Sequence, residues 1–261
     1  MEPEHPYARI ASELTGTGFS RIRYVEETTS TNADASALLG DDGAAGVTIV
    51  AEYQSSGAGR KGRSWLAEPG SSLLFTTIVP GSLSAHDLWV VPFWTALAIR
   101  RSLGAYGVEA DLHWPNDLLL GDAKLAGILC VSRSAGDRAW VACGVGINVR
   151  RGYGAGAIEP PPAYCDDVRA VKRAELLRTI LLEFEATRAA LENPQRVARE
   201  WEAQAGLPGR RYRLLKDGET APFEATALAL ATGGGLAVAR DDGTRETISL
   251  ADARALRSNH R

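Results

Sequence analysis

Apolar residues along this chain fall into two patterns, and together they predict a protein with both strands and helices. Continuous apolar runs rich in β-branched residues predict buried strands at 46–54, 71–79 and 140–149. Two further runs, DLLL and AKLAGILCV, flank the turn Gly121-Asp122 and predict a hairpin. These strands are expected to form one sheet.

Apolar residues that recur every three or four positions predict the helices that flank this sheet. Such helices are expected at 84–103 and 172–191, and the Asn-Pro pair after the second begins another that runs to residue 205. A short helix is expected at about 31–40, because Ser or Thr before ADASALL makes a good N-cap. Residues 1–22 are expected to form a short helix or a tail.

The pattern changes after residues 206–209, where short strands alternate with Asp-Gly or Gly-Gly turns. The segments RRYRLL, FEATALALA, GLAVAR and RETISL have the rhythm of a small β-barrel of about 50 residues. We therefore expect two domains, 1–207 and 208–261, with a Gly- and Pro-rich loop at 152–162. The predicted fold class is α+β, with a mixed, mainly antiparallel sheet and flanking helices.

Composition and charge narrow the class of protein. The chain has 261 residues, 45% of them hydrophobic, and a formal net charge of −3, which is ordinary for a globular protein with a full core. This charge argues against a protein-wide nucleic-acid or membrane surface, so an anion site must be local. No apolar stretch approaches the roughly 20 residues of a membrane span, and the N-terminus is unlike a signal peptide.

Cysteine and lysine usage add two further points. Three cysteines without CxxC spacing (Cys130, Cys143 and Cys165) fit a reducing cytoplasm better than a disulfide framework, and the histidines show no zinc-ligand spacing. We therefore expect a cytoplasmic protein without a metal site of its own. Only four of the 29 basic residues are lysines, which raises the question whether any lysine stands where arginine cannot.

The segment AEYQSSGAGRKGRSW, residues 51–65, combines three glycines with three cations. Its glycines formally satisfy GxGxxG, but a strand follows instead of the helix that a dinucleotide site needs, and the Gly-Lys-Ser/Thr of a Walker A loop is absent. Glycines let backbone N–H groups approach a ligand, and arginine forks bind phosphate. The segment is therefore a candidate phosphate-binding loop, with a solvated basic loop as the alternative.

The segment HWPNDLLLGDAKLAGIL presents Asn116 and Asp117 at the start of one strand and Lys124 at the start of the next. A lysine that enters an apolar strand is costly to bury unless it meets a fixed anion. Lys124 is thus a candidate for binding an anionic ligand. The alternative is a side chain that extends to solvent at the strand end.

Two other segments carry polar groups in apolar surroundings. Asn148 in GVGINV must satisfy its amide, either on the edge of an adenine or on the protein backbone. The run from Thr28 to Asn32 holds four hydroxyls and an amide, which serve either a ligand or a helix N-cap. No segment shows a nucleophile elbow or a Cys–His pair. The segments share donors and cations suited to polar ligand atoms and phosphate, which favours adenylylation, in which positioning and charge stabilisation do most of the catalysis.

Taken in order, these segments resemble the biotin protein ligases. The matching motifs are Ser30-Thr31-Asn32, the loop QSSGAGRKGRSW, HWPND followed by KLAGIL, and GVGIN. The resemblance covers about residues 24–257. It implies the class II synthetase-like catalytic fold of the biotin and lipoate ligases, with a small C-terminal SH3-like β-barrel.

The resemblance also implies a two-step reaction. Biotin and Mg-ATP give biotinyl-5′-AMP and pyrophosphate, and the biotinyl group then passes to a lysine of a biotin carboxyl carrier protein. Biotin and ATP with Mg²⁺ are the implied ligands, and the carrier is the implied protein partner. The sheet edges offer a route to a homodimer, whereas nucleic acid and membrane are not expected partners.

The functional residues of the family carry over by position. Lys124, Arg60 and Asp117 are the implied catalytic residues, with Lys124 and Arg60 on the biotin carboxylate and the α-phosphate. The implied biotin-binding residues are Ser30, Thr31, Asn32, Gln54, Gly57, Ala58, Gly59, Arg60 and Lys124. The implied ATP-binding residues are Arg60, Arg63, Trp65, Asn116 and Asn148.

Two residues depart from the family pattern. Ala58 replaces the first arginine of Gly-Arg-Gly-Arg, so any role of that side chain is lost, and His113 replaces the lysine before Trp114. The roughly 22 residues before the first motif are too few for a winged-helix domain of about 60 residues, so we expect a ligase without repressor function. Two alternatives stay open: a lipoate or octanoate ligase of the related fold, and a non-enzymatic biotin-binding or carrier-docking module.

Overall fold

The structure is a computed structural model that describes residues 5–81, 83–152, 161–251 and 253–256. Within these ranges the strands form two sheets. The first contains β1 Arg21–Thr28, β2 Val47–Gln54, β3 Ser72–Ile78, β4 Leu83–Ser84, β5 Asp111–His113, β6 Asp117–Leu120, β7 Ala123–Ala135 and β8 Arg138–Asn148. The second contains β9 Arg211–Lys216, β10 Phe223–Leu230, β11 Leu236–Arg240, β12 Arg245–Ile248 and β13 Ala253–Leu256.

The described residues also form α-helices, most of which match the predicted ones. These helices are α1 Pro6–Glu13, α2 Thr31–Ser36, α3 Val91–Gly104, α4 Arg173–Thr187 and α5 Pro194–Ala205. The prediction of one helix over 84–103 was wrong at its start, because Leu83–Ser84 is a strand and a 3₁₀ turn at Leu88–Val90 precedes α3. A second 3₁₀ turn, Arg188–Glu192, separates α4 from α5.

The strand order in the first sheet is β1-β2-β3-β8-β7-β6-β5, and β4 pairs with β8. The β1–β2 pair is parallel and the other pairs are antiparallel. The register places Thr76 of β3 opposite Gly144 of β8, and Gly127 of β7 opposite Gly146 of β8. Residues from two of the sequence motifs, KLAGIL and GVGIN, therefore meet at the centre of the sheet.

The two faces of the central strands bury different clusters. Phe75 on one face of β3 belongs to the main core, which also contains Phe93 of α3 and Phe184 of α4. Ile78, on the opposite face of the same strand, packs in a smaller cluster with Ala35 of α2. Helices α3 and α4 thus cover one face, and α2 covers part of the other.

Strands β1, β5 and β13 have no counterpart in the sequence-based prediction, and β4 lies where a helix was predicted to begin; β1 and β5 show why. The β1 sequence RIRYVEET is charged and half exposed along an edge of the sheet, so its apolar pattern is weak. The β5 strand has three residues, too few for a periodic signal, and is defined by its pairing with β6. In both cases the neighbouring strand, rather than the local sequence pattern, determines the structure.

The second sheet has the antiparallel order β12-β11-β10-β9-β13, and it contains the short strands predicted after residue 209. Tyr212 and Leu214 of β9 are buried in the main core, together with residues of the first sheet. Trp114, between β5 and β6, also contacts this part of the chain, because its indole Nε1 donates to Gly234 O at 3.0 Å. The predicted division at 207/208 lies in the connection between α5 and β9. Closure of this sheet into an SH3-like barrel stays a prediction.

The observed architecture confirms the predicted α+β class, with a mainly antiparallel sheet, flanking helices and a smaller C-terminal sheet. Of the predicted loop at 152–162, residues 153–160 lie outside the described part of the chain. Where the structure describes the chain, no helix combines the length and apolarity needed to cross a membrane.

Candidate active site

A cavity of about 790 Å³ lies on the α2 side of the central strands. It brings together almost all the residues that the sequence singled out. The predicted site residues that line it are Ser30, Thr31, Asn32, Gln54, Ala58, Gly59, Arg60, Arg63, Trp65, Asn116, Asp117, Lys124 and Asn148. Gly57 lines an adjoining cavity of about 310 Å³, which shares Trp65 with the first.

Glycines of β7 and β8 make room for the side chains that cross the floor of the cavity. A Cβ at Gly146 would lie 2.6 Å from the Trp65 ring, and a Cβ at Gly144 would lie 2.2 Å from Asn32 Oδ1. A Cβ at Gly127 would lie 3.0 Å from both Lys124 Nζ and the Trp65 ring. Close approach of a neighbouring side chain therefore requires glycine at these positions.

Trp65 lies between the two cavities and packs against the glycine-rich strands. The Lys124 ammonium lies 5.5 Å from the centroid of its ring, within the range of a cation–π contact. The indole Nε1 is buried and has no hydrogen-bond partner among the described residues. The ring thus forms an apolar wall beside the cationic part of the cavity.

One end of the cavity is lined by amides and hydroxyls. The backbone N–H and the hydroxyl of Thr31 both donate to Gln54 Oε1, at 2.8 and 2.9 Å. Ser30 takes the N-cap position of α2, but its side chain makes no cap hydrogen bond. The N-cap alternative therefore does not account for the Ser30 hydroxyl, which lines the cavity instead.

The glycine-rich loop after β2 folds back on itself. Trp65 N–H donates to Gly57 O at 2.8 Å, and Gly59 N–H donates to Arg63 O at 2.6 Å. At the tip, Lys61 has a left-handed conformation with φ of 57°. Its ammonium lies 2.5 Å from Asp217 Oδ2, so the tip contacts the turn after β9.

Arg60 extends from this loop into the cavity. Its guanidinium donates to Asn116 Oδ1 at 3.3 Å and also to Leu250 O. Burial lowers the pKa of the Arg60 guanidinium, and the Asp117 carboxylate opposes that shift. An arginine keeps its proton at neutral pH, so Arg60 provides a fixed positive charge.

Lys124 and Asp117 form an ion pair beside Arg60. Lys124 Nζ lies 2.7 Å from Asp117 Oδ1, and both side chains are about four-fifths buried or more, with 21% and 16% exposure. Within the described part of the chain Asp117 Oδ1 has no aligned hydrogen bond, so its contact with Lys124 is electrostatic. The pairing rules out the alternative of a lysine that extends freely to solvent at the strand end.

The side-chain amides of Asn116 and Asn148, which were predicted to face adenine or phosphate, each donate a hydrogen bond to the protein backbone. Asn116 Nδ2 donates to Ile128 O at 2.7 Å, and Asn148 Nδ2 donates to Lys124 O at 3.1 Å. An amide nitrogen carries two hydrogens, and each of these backbone contacts uses one of them. Their proposed ATP contacts stay predictions.

The two departures from the family pattern have different surroundings. Ala58 is exposed within the cavity, where it forms an isolated bridge with Ser64. His113 is buried, and its ring lies 4.9 Å from that of Tyr212, between centroids. The side chain at position 113 therefore packs between the two sheets and is outside the cavity lining.

Several residues of the site carry no motif signal in the sequence. Arg213 and Leu256 reach the cavity from the second sheet, and Thr76 lies beneath Thr31 and Asn32. Thr76 is brought to the site by the pairing of β3 with β2 and β8, and the two other residues by the packing of the second sheet against the first. A polar residue within the apolar run at 71–79 was the available signal for Thr76.

Comparisons with known proteins agree with this fold. Residues 24–148 match the model of the biotin/lipoate A/B protein ligase family. The chain is 31% identical to the biotin–[acetyl-CoA-carboxylase] ligase of Mycobacterium tuberculosis over 213 residues, which are 76% of each chain. It is 41% identical to the ligase of the same name from Paracoccus denitrificans over 140 residues, 51% of this chain and 56% of that protein.

A solved structure of a biotin protein ligase from Aquifex aeolicus, in complex with biotin and ATP, has a similar fold. The TM-score is 0.73 at 21% identity, and the match covers 92% of this chain and 100% of that one. The chain belongs to the biotin/lipoate A/B protein ligase family. Within that family it is similar to the biotin–[acetyl-CoA-carboxylase] ligases, although its match to the Paracoccus protein spans little more than half of that protein's length.

Proposed function

We propose that this protein activates biotin with ATP to biotinyl-5′-AMP and transfers the biotinyl group to a lysine of a biotin carboxyl carrier protein. The observation that carries the proposal is one cavity that joins an end lined by amides and hydroxyls to an end lined by cations. Biotin has a polar ureido head and a carboxylate tail. The head would bind beside Thr31 and Gln54, and the tail would reach Arg60 and Lys124.

In the first step, a carboxylate oxygen of biotin attacks the α-phosphorus of ATP. An acyl–oxygen–phosphorus link forms, and pyrophosphate leaves. Both reactants are anions, so their approach is opposed by repulsion unless cations lie between them. Lys124 and Arg60 supply two fixed positive charges there, which lower the repulsion and stabilise charge that develops at phosphorus.

In the second step, a neutral lysine amine of the carrier attacks the acyl carbon, the C–N amide bond forms as the acyl carbon–oxygen bond to phosphate breaks, AMP leaves, and the proton lost by the nitrogen passes to solvent. The departing phosphate carries the charge that Lys124 and Arg60 stabilise. Asp117 would act as a positioning residue in both steps, because its carboxylate lies 2.7 Å from the Lys124 ammonium. The pairing restricts the ammonium to one part of the cavity.

Magnesium would enter this site with ATP as its substrate complex. The described residues hold no group of three or more His, Cys, Asp or Glu side chains arranged for a metal. Mg²⁺ commonly binds through substrate phosphates and one or two carboxylates. Asp117 lines the cavity and could supply such a carboxylate ligand. The ion would supply further positive charge at the phosphates.

A lipoate or octanoate ligase of the same family is the second candidate function. A dithiolane or alkyl end forms no strong hydrogen bonds, so it would leave the buried Thr31 and Asn32 polar groups without ligand partners. The hydroxyl and amide lining therefore favours biotin. A thermal-shift experiment with each acid separates the two, because stabilisation by lipoate alone would reverse the assignment.

The proposed activity is tested with the purified protein, isotopically labelled biotin, ATP with Mg²⁺, and a biotin carboxyl carrier domain. We expect label on the carrier, dependent on ATP. A carrier variant without its acceptor lysine is the control. Absence of label under conditions in which a known ligase labels the same carrier would contradict the proposal.

Replacing Arg60 by glycine is expected to release biotinyl-5′-AMP into solution. The substitution removes the contacts of the guanidinium with Asn116 and Leu250 and one of two cations facing the phosphate. Charge-assisted hydrogen bonds contribute about 1.5–3 kcal/mol each, so the adenylate should dissociate at least about tenfold faster. Free adenylate is measured as biotin that becomes attached to a bystander protein.

Arg60→Lys is the matched variant for this experiment. Lysine keeps the positive charge but cannot make the two parallel contacts of a guanidinium. The rate at which this variant releases biotinyl-5′-AMP should therefore lie between the rates of the wild type and of Arg60→Gly. Undiminished retention of the adenylate by Arg60→Gly would contradict the role given to Arg60.

The remaining features of the proposal concern location and assembly. A cytoplasmic location is supported by three cysteines that are free thiols. We further propose that the protein acts without nucleic acid or membrane. Strands β1 and β5 end the path of the first sheet, and sedimentation would show whether either pairs with a second copy.

A further inference from the structure

The hydroxyl of Thr76 lies beneath the amide-lined end of the cavity. Thr76 belongs to β3 and is fully buried, and it does not line the cavity itself. Its Oγ1 lies 2.8 Å from Thr31 Oγ1 and 2.9 Å from Asn32 Oδ1. One buried hydroxyl therefore contacts both residues that α2 contributes to this end of the cavity.

Two backbone groups determine the orientation of the amides around it. Leu129 O can only accept, so the Asn32 atom 3.0 Å from it is the amide nitrogen, and Asn32 Oδ1 faces Thr76. The Thr31 backbone N–H can only donate, so the Gln54 atom 2.8 Å from it is the amide oxygen. The amide nitrogen of Gln54 is then the atom left for other partners.

The proton of each hydroxyl follows from these assignments. Thr31 Oγ1 lies 2.9 Å from Gln54 Oε1, an acceptor, so the Thr31 hydroxyl donates there. Thr31 Oγ1 and Asn32 Oδ1 are then both acceptors toward Thr76, so the single proton of the Thr76 hydroxyl is shared between them.

Space as well as hydrogen bonding restricts Asn32. A Cβ at Gly144 would lie between 2.2 and 2.6 Å from the Asn32 amide atoms, so the amide lies directly against β8. If the Thr76 hydroxyl were removed, Asn32 Oδ1 would lose a donor in a place that the strand backbone fills. The Asn32 and Thr31 side chains would then have to find other orientations.

We propose that Thr76 is a positioning residue for the ligand head group: its hydroxyl holds the Thr31 and Asn32 side chains in the orientation that the backbone groups define, so that Gln54 presents N–H donors and Thr31 presents an oxygen acceptor to the cavity. A head group with a carbonyl acceptor beside N–H donors fits that polarity, and a ureido ring has both. The inference rests on the proposed function, and it adds a residue that does not touch the ligand.

Thr76→Val is the direct test, because valine has the shape of threonine without the hydroxyl. Biotin affinity is measured by titration calorimetry, and adenylate formation gives the KM and kcat. We expect the Kd and KM for biotin to rise about tenfold, as for a lost network hydrogen bond, with kcat and the KM for ATP within about twofold. Thr76→Ser keeps the hydroxyl and should restore biotin affinity.

Thr77→Val is the matched control. Thr77 is the next residue of β3, equally buried, and its hydroxyl pairs with Thr48 Oγ1 at 2.9 Å on the opposite face. It should change stability without changing the Kd for biotin. If Thr76→Val does not fold, the pair Thr76→Ala and Thr76→Ser, which differ only in the hydroxyl, gives the same comparison.

The outcomes separate this inference from the proposed function. A wild-type protein that binds no biotin in the same titration overturns both. A wild-type protein that binds biotin, with Thr76→Val equally tight or Thr77→Val equally weakened, overturns the role of Thr76 alone. The role of Thr76 is also overturned if Thr76→Ser binds biotin as weakly as Thr76→Val.

Discussion

Replacement of Lys124 by arginine is expected to lower biotin transfer about a hundredfold or more while the protein still folds. The reason is the shape of the cation. The Lys124 ammonium lies 2.7 Å from Asp117 Oδ1 and 5.5 Å from the centroid of the Trp65 ring. A planar guanidinium is wider than an ammonium, so it cannot lie between this carboxylate, this ring and an incoming phosphate.

The matched control for this prediction is Lys172→Arg. Lys172 is at the start of α4, its side chain is 82% exposed, and it forms an i,i+3 pair with Glu175 that an arginine can also make. Activity is measured as the single-turnover rate of biotin transfer from biotin and ATP to the carrier, and folding as Tm, which should stay within about 3 °C for both variants. A Lys124→Arg protein with near-wild-type turnover would show that lysine is not required there.

The sequence predicted most of the residues around the cavity because its motifs are local. Gln54 and Arg60 belong to one loop, and Asp117 and Lys124 belong to one hairpin, so short segments already carry much of the site. What the sequence could not predict was how these segments face one another. The lining from Leu256 of the last strand depends on the fold of the whole chain.

The errors in the predicted fold also arise where the structure depends on contacts between distant segments and not on the local sequence pattern. Buried strands such as β3 have a clear apolar pattern, and they were predicted within a residue or two. The edge strand β1 has charged residues on a half-exposed surface, and only its parallel pairing with β2 makes it a strand. For the Asn148 amide, the sequence left two hydrogen-bond partners open, a ligand or the protein backbone. The amide nitrogen donates to Lys124 O, so the backbone is one of its partners.

Gly146→Ala is expected to lower kcat/KM for biotin about 10- to 100-fold through displacement of Trp65. A Cβ at position 146 would lie between 2.6 and 2.9 Å from three atoms of the indole, closer than real side-chain contacts allow. Gly146 lies within β8, whose backbone is paired on both sides, so the Trp65 ring must move. The ring packs against Lys124 and adjoins the loop that carries Arg60, so both cations should lose their positions.

Gly104→Ala is the control, because it makes the same substitution at a glycine of α3 where the nearest atom to an added Cβ is Glu109 Oε1 at 3.7 Å. Alanine is favoured over glycine in a helix by about 0.5–1 kcal/mol, so this variant should be fully active and no less stable. Gly146→Ala should keep most of its stability, because Trp65 is only partly buried and lies in a loop. Activity within about twofold of the wild type would contradict the proposed role of the Trp65 wall, since a change of that size is below the effect of a displaced cation.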